Sequence, residues 1–359
     1  MSDSSSRFVS LASVSPEEQP WLWPDRIAMG TITLLEGDPG QGKSLIICDW
    51  TARVSRGWSF PGDELKHDPA ALADTQEFPV PAGVVLLAPE DHLATTVVPR
   101  LLAAGADLSR VLALHESSTA EGSFQLPRDV PVLEQHIQQA QARLVVIDPL
   151  SAYLPSGLQS DSQVRLAMQS LAGLAQRTGV AIVLVRHFVK ENCRRATSAG
   201  AGGIAIMGRA RAALAVTPLP KDFDPHRDLR PLPEDANGVV SGKLSSRSLQ
   251  FTHCLTVVKG NLGHAPPLIY RTGKNQHGEL RMQYLGIYEP HPPNDSETPA
   301  ASTPVRIAQA PLQPVRSRRG RRWLSHGWSF LSGVAQGVGR GTVCLCRAIG
   351  SKRRRRRRR

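Results

Sequence analysis

Aromatic residues are scarce in this 359-residue chain, at 5% Phe, Trp and Tyr, and no uninterrupted apolar run reaches about 18 residues. The second absence excludes a membrane-spanning helix. The first leaves any core to aliphatic side chains, for which 41% hydrophobic content is ample. The opening MSDSSSRFVSLASVSPEEQPW lacks an apolar core of signal-peptide length. Five cysteines, Cys48, Cys193, Cys254, Cys344 and Cys346, are odd in number and lack paired zinc spacing. That excludes a disulfide framework and points to a reducing, cytoplasmic setting.

The folded part also lacks a charge bias. From His291 onward, 16 Lys and Arg face only Asp295 and Glu297, whereas the preceding 290 residues carry 27 basic and 29 acidic groups. The net charge of +12 therefore belongs to the tail. It passes through RSRRGRRW (Arg316–Trp323) and ends on Lys352 and seven arginines. Like charges at that density repel and bury no core, so disorder is expected there. Two readings stay open for this tail: a sequence-independent tether for polyanions, or a degenerate terminus without a role.

Three regions are expected: a polar lead over 1–18, one folded domain over 19–290, and the tail over 291–359. Short apolar runs alternate with amphipathic segments in the middle region, as in α/β architecture. The runs are TITLLE, GVVLLA, VLALHE, LVVI and VAIVLV, beginning at Thr31, Gly83, Val111, Leu144 and Val180. Their poor period-2 alternation fits strands covered on both faces of a mostly parallel sheet. Helices are expected over Lys43–Arg56, His92–Ala104, Val132–Ala142 and Gln163–Arg177. An irregular insertion is expected over Thr217–Ser241, followed by three strands that extend one sheet edge and end near Tyr288.

Gly37-Asp38-Pro39-Gly40-Gln41-Gly42-Lys43-Ser44 matches G-x-x-x-x-G-K-[ST] throughout, between an apolar strand and a helix. Glycines let backbone N–H groups converge on an anion, and the helix N-terminus faces the same point. Lys43 is expected on the β- and γ-phosphates of ATP and the Ser44 hydroxyl on Mg²⁺. Asp148 ends the apolar run LVVI some 105 residues later, where a carboxylate would complete the Mg²⁺ shell. Glu90 and Asp91 follow GVVLLA; Glu90 is the expected general base, against the alternative of an acidic first helical turn. His187 ends VLVRH and is positioned to reach a γ-phosphate, unless it is simply exposed.

In this order and spacing the motifs resemble the RepA-like branch of the RecA/DnaB-type ATPases, from about Trp21 to Tyr288. The pieces are LLEGDPGQGKS, GVVLLAPEDH with PRL, AAGADLSRV, ARLVVIDPLSAYL, LVRHFVK, GGIAIMGRARAALAV and VVKGNLG. The resemblance implies a RecA-like core, a homo-hexameric ring with ATP between subunits, and an arginine acting on the neighbour's phosphate. Arg211 falls at that arginine's place, with Arg209 second. The resemblance further implies passage of single-stranded DNA past Tyr153–Gln163 and Lys190–Gly203. The family's His-Leu-Asn-Lys is His187-Phe188-Val189-Lys190 here, and its Gly-Ser-Gly-Ser is Gly200-Ala201-Gly202-Gly203.

The first expected function is a Mg-ATP-driven DNA motor, a replicative helicase of a plasmid, prophage or other mobile element. The second is a nucleotide-gated DNA-binding assembly protein that does not unwind. A small-molecule kinase lacks support, because no arginine-bearing lid is evident. An oxidoreductase is weaker still, because Lys43-Ser44 belongs to a mononucleotide loop.

Overall fold

The computed structural model describes residues 9–62, 80–115, 123–155, 160–187, 203–232, 252–263, 265–274 and 280–290. The expected basic tail, most of the loop after His187 and most of the expected insertion lie outside these residues.

A hairpin of β1 (Trp21–Trp23) and β2 (Ile27–Ala28) precedes the large sheet. In chain order the sheet uses β3 (Ile32–Gly37), β4 (Gly83–Leu87), β5 (Val111–Ala113), β6 (Ala142–Ile147), β7 (Ala181–His187) and β8 (Ala212–Pro218). It is completed by β9 (Leu229–Pro231), β10 (Thr252–Gly260), β11 (Leu268–Lys274) and β12 (Leu280–Tyr288). The spatial order is β5-β4-β6-β7-β3-β8-β10-β11-β12-β9. The six strands from β5 to β8 pair in parallel, and the last four add antiparallel. This is an α/β core with the expected C-terminal β-edge.

The helices are α1 (Lys43–Arg56), α2 (Val98–Ala104), α3 (Val130–Gln139), α4 (Asp161–Thr178), α5 (Gly203–Arg209) and the single turn α6 (Pro225–Asp228). Strand alternation divides the core in two. Leu35, Val84, Leu86, Val183 and Val185 face α1, whereas Ile32, Leu34, Val85, Ile182 and Leu184 face the side of α3, α4 and α5. Each central strand is thus apolar on both sides, which is why the runs do not alternate.

Eleven of the fourteen residues of α1 are buried. Parallel strands underlie it, and residues of β10, β11 and β12 join the same cluster. Trp50 of α1 donates from Nε1 to the Tyr284 hydroxyl of β12 at 3.0 Å, and Trp23 packs against Trp50, Phe60 and Tyr284. Trp23, Trp50, Phe60, Tyr270 and Tyr284 gather where the C-terminal strands meet the helix that follows the phosphate loop.

Three expectations change. The segment His92–Ala104 is not one helix: a π-helical turn over Leu93–Val97 precedes α2, because Pro99 lacks an N–H and belongs in a first helical turn. The strand expected over Val111–Glu116 runs only to Ala113. Ala212–Pro218, given no strand at the sequence level, is β8, and within the expected irregular insertion Leu229–Pro231 forms β9 on β12.

Candidate nucleotide-binding site

Strand β3 delivers Gly37 to the carboxyl edge of the sheet, and the chain turns at once into α1. Gly40 and Gly42 both sit at φ +81°, a region that side chains disfavour. The Gln41 side chain closes the turn, its Oε1 accepting from Asp38 N at 2.9 Å. Gly42 is the N-cap and offers no side-chain acceptor, so the first amides of α1 stay available for an anion.

Lys43 is 5% exposed and donates from Nζ to Gly37 O and Asp38 O, each at 2.9 Å. An ammonium has three protons, so one remains for a ligand. Burial lowers the Lys43 pKa, opposed by the charges of Asp148 and Asp38. Beneath the loop the fully buried Glu36 pairs with Arg186 of β7, tying the phosphate strand to its neighbour.

Asp148 follows β6, its N–H donating to Leu87 O at 2.8 Å. The Ser44 hydroxyl donates to Asp148 Oδ2 at 3.4 Å. This donor set fits Mg²⁺. A hydroxyl and a carboxylate supply hard oxygens, and the ion characteristically fills its other positions with water and substrate phosphates. Among the described residues no group of three His, Cys, Asp or Glu could hold a metal without such help.

Burial, and next the charge of Glu90, push the Asp148 carboxyl up to about 6, with Lys43 and Ser44 opposing. A carboxyl raised above its unfolded value favours the folded state when protonated. Its contribution is complete below about pH 4 and is lost as the pH rises through about 6. Asp148→Asn is therefore expected to raise the urea midpoint of the ligand-free protein at pH 7.5, with the gap closing by pH 4. Urea titrations at the two pH values check this.

These groups share one cavity of about 360 Å³. Its lining combines Gly40, Gly42, Lys43 and Ser44 of the loop with Asp148, Glu90, Asp91 and Arg100, and with Thr272 of β11 and Leu280 of β12. Asp91 is committed, accepting from Arg100 Nη1 at 3.0 Å. Glu90 is exposed and has no hydrogen bond or ion pair among the described residues. A separate cavity of about 100 Å³ beneath Leu34, Leu150, Leu184 and Ile206 is too small for a nucleotide.

The expected residues divide accordingly. Gly37 to Ser44, Asp148 and Glu90 come together. His187 pairs through its backbone with Gly37 at the start of the loop, and its side chain lies outside what is described. Arg211 does not join the cavity. It precedes β8, donates from its backbone N to Ile32 O, and is exposed at the edge of the sheet opposite the loop. The length of β3, about 17–20 Å at strand rise, separates it from its own Gly37. Arg209 is exposed in the last turn of α5. Sequence reasoning missed Arg100 as a partner for Asp91. It also missed the wall made by β11 and β12, whose residues form no motif with the loop.

The family profile described as an AAA domain matches residues 3–192, over half of the chain. The chain belongs to that family. This AAA-domain protein is also similar to the DNA repair protein RadA of Halalkalibacterium halodurans, at 28% identity over 169 residues. That match covers 46% of this chain and 29% of RadA, so the chain spans under a third of the relative's length. Together with the sheet order, these likenesses make it a RecA-like P-loop ATPase core. Among the described residues of this AAA-domain protein, no helix is long and apolar enough to cross a membrane.

Proposed function

We propose that the protein is a Mg-ATP-hydrolysing DNA motor, a hexameric replicative helicase of the RepA-like type. The observation that carries the reading is the single cavity in which a complete phosphate loop faces Asp148 and an uncommitted Glu90. Backbone N–H groups of the loop and Lys43 bind the phosphates. Ser44 and Asp148 would hold Mg²⁺, which would neutralise phosphate charge when bound. Glu90 orients a water in line with the γ-phosphate and accepts its proton. His187, entering beside Gly37, reports the state of that phosphate.

Arg211 serves the nucleotide of a neighbouring copy, since it lies a sheet-length from its own. Arg209 is next to it, and Lys259 donates to Met207 O and Ala210 O close by. Arg211 contributes to the lowered Lys259 pKa, after burial. A cationic edge and an acidic cavity at opposite ends of one copy suit the head-to-tail contacts that close a ring. RadA is named as a DNA repair protein, which supports DNA as the partner. Tyr153–Gln163, of which 156–159 lie outside the described residues, and Lys190–Gly203, all but Gly203 outside them, are the proposed contacts, with the 291–359 tail accessory to the 19–290 domain.

One sequence feature favours a second reading, a nucleotide-gated assembly protein without unwinding: Val189 stands where the resembled family has Asn, and Gly200-Ala201-Gly202-Gly203 replaces its hydroxyl-bearing segment.

ATP hydrolysis with and without single-stranded DNA, for the full chain and a version ending at Pro290, tests the motor. Several-fold stimulation in both, together with opening of a forked duplex, is expected. Stimulation without strand separation moves the assignment to the assembly protein. Hydrolysis indifferent to DNA in both versions overturns the motor.

A further inference from the structure

Strand β11 lies far from the phosphate loop in sequence, yet its inner face touches it. Tyr270 is fully buried, and its hydroxyl donates to Gln41 O at 2.8 Å. Two residues on, and so on the same face of the strand, Thr272 lines the nucleotide cavity. Its Cγ2 is 3.1 Å from where a Cβ on Gly42 would stand.

The Gln41 carbonyl and the Gly42 N–H belong to one planar trans peptide, in which C=O and N–H point in opposite directions. A donor that holds the carbonyl towards β11 therefore turns the Gly42 N–H away from β11, towards the concave side of the loop. Gly42, at φ +81°, has no side chain to fix its orientation by its own preference. Tyr270 is itself held. His253 stacks on it at 5.6 Å, and Tyr284 packs edge-on at 6.3 Å while accepting from Trp50 of α1. Burial raises the Tyr270 phenol far above its ordinary pKa, so it remains a donor over the working pH range.

We propose that Tyr270 is a positioning residue of the nucleotide site: by holding Gln41 O it aims the Gly42 N–H at the bound phosphate, while Thr272 seats Gly42 against β11. The proposal rests on the reading of this loop as a nucleotide site. It makes the C-terminal β-edge part of the phosphate-binding apparatus.

The test compares ADP affinity and steady-state ATP hydrolysis in full-length Tyr270→Phe and Thr272→Ser with wild type. Tyr284→Phe is the control, because it removes a hydroxyl from the same wall without touching the loop. Tyr270→Phe is expected to weaken ADP binding about tenfold and to raise KM for ATP in parallel, with kcat within about twofold. That split marks a contact made equally in ground and transition states. Thr272→Ser, which alters a half-buried position, is expected to weaken binding about threefold. Tyr284→Phe is expected to lower Tm while leaving ADP affinity at the wild-type value.

Wild-type affinity in both Tyr270→Phe and Thr272→Ser overturns the proposal. So does an equal loss in Tyr284→Phe, which would mean that the whole wall had loosened. If Tyr270→Phe does not fold, Thr272→Ser decides alone. Wild type that binds no ADP overturns the nucleotide-site reading itself, whereas wild type that binds beside an unaffected Tyr270→Phe overturns only the positioning role.

Discussion

Lys43→Ala is expected to abolish measurable ATP hydrolysis and to weaken ATP binding by roughly 10²- to 10³-fold, with little change in Tm. The side chain is almost entirely enclosed and anchored on Gly37 O and Asp38 O, so its remaining proton is directed by the loop rather than by solvent. A charge-assisted hydrogen bond contributes about 1.5–3 kcal/mol, and the Coulomb attraction of the cation to the other phosphate oxygens adds to it. A loss of about 3–4 kcal/mol converts to the stated range. Stability changes little because two effects oppose each other. The variant leaves two carbonyls without their donor, but it also removes a cation whose burial is unfavourable, as the lowered Lys43 pKa indicates. Calorimetric titration with ATP and a thermal melt check both halves. ATP affinity unchanged in a folded variant would remove the loop from the nucleotide site.

What could be read from the sequence was local. The phosphate loop announces itself through glycines and Lys43-Ser44, and the helix it opens runs over Lys43–Arg56 as the pattern predicts. Apolar runs located five parallel strands; for β3, β4, β6 and β7 the reason is burial on both faces, which leaves a composition signal, whereas β5 is a largely exposed edge strand. The same logic failed at Ala212–Pro218. AALAVTP follows a helical segment and is rich in alanine, a helix former in isolation. It is a strand because β3 and β10 flank it and supply its hydrogen bonds. Small side chains suit a strand packed on both faces, a property of the neighbours that local propensity does not report.

The site divides in the same way. Asp148 and Glu90 were legible because a carboxylate just past an apolar strand falls at the carboxyl edge of a parallel sheet, where the P-loop also lies. The Arg100–Asp91 pair and the Tyr270–Gln41 bond were not, since they join elements that meet only through tertiary packing. The second spans 229 residues. Arg211 was placed by resemblance alone. Its position on the opposite edge means that no single copy holds the complete arrangement proposed for the ring.

Glu90→Gln is expected to lower kcat by about 10²- to 10⁴-fold, the usual contribution of a positioned general base, while ATP binds as tightly as before or more tightly. Glutamine keeps the size and can still hold a water, but it cannot take the proton. Binding improves because one negative charge leaves a cavity that also contains Asp148 and Asp91. Glu90 is the second cause of the raised Asp148 pKa, after burial, so its neutralisation should bring that pKa down. Asp148 would then stay ionised at lower pH, and the ligand-free variant should lose less stability than wild type as the pH rises from 4 to 6. Asp91→Asn is the necessary comparison, since the two carboxylates are adjacent in sequence and both line the cavity. Asp91 is occupied by Arg100 at 3.0 Å, and an acceptor already engaged by a guanidinium is a poor base. Its variant should retain kcat within about tenfold. Steady-state kinetics and ATP titrations on the two variants decide between them. A large loss in Asp91→Asn with near-normal turnover in Glu90→Gln would exchange the two roles and make Arg100 the group that prepares the base.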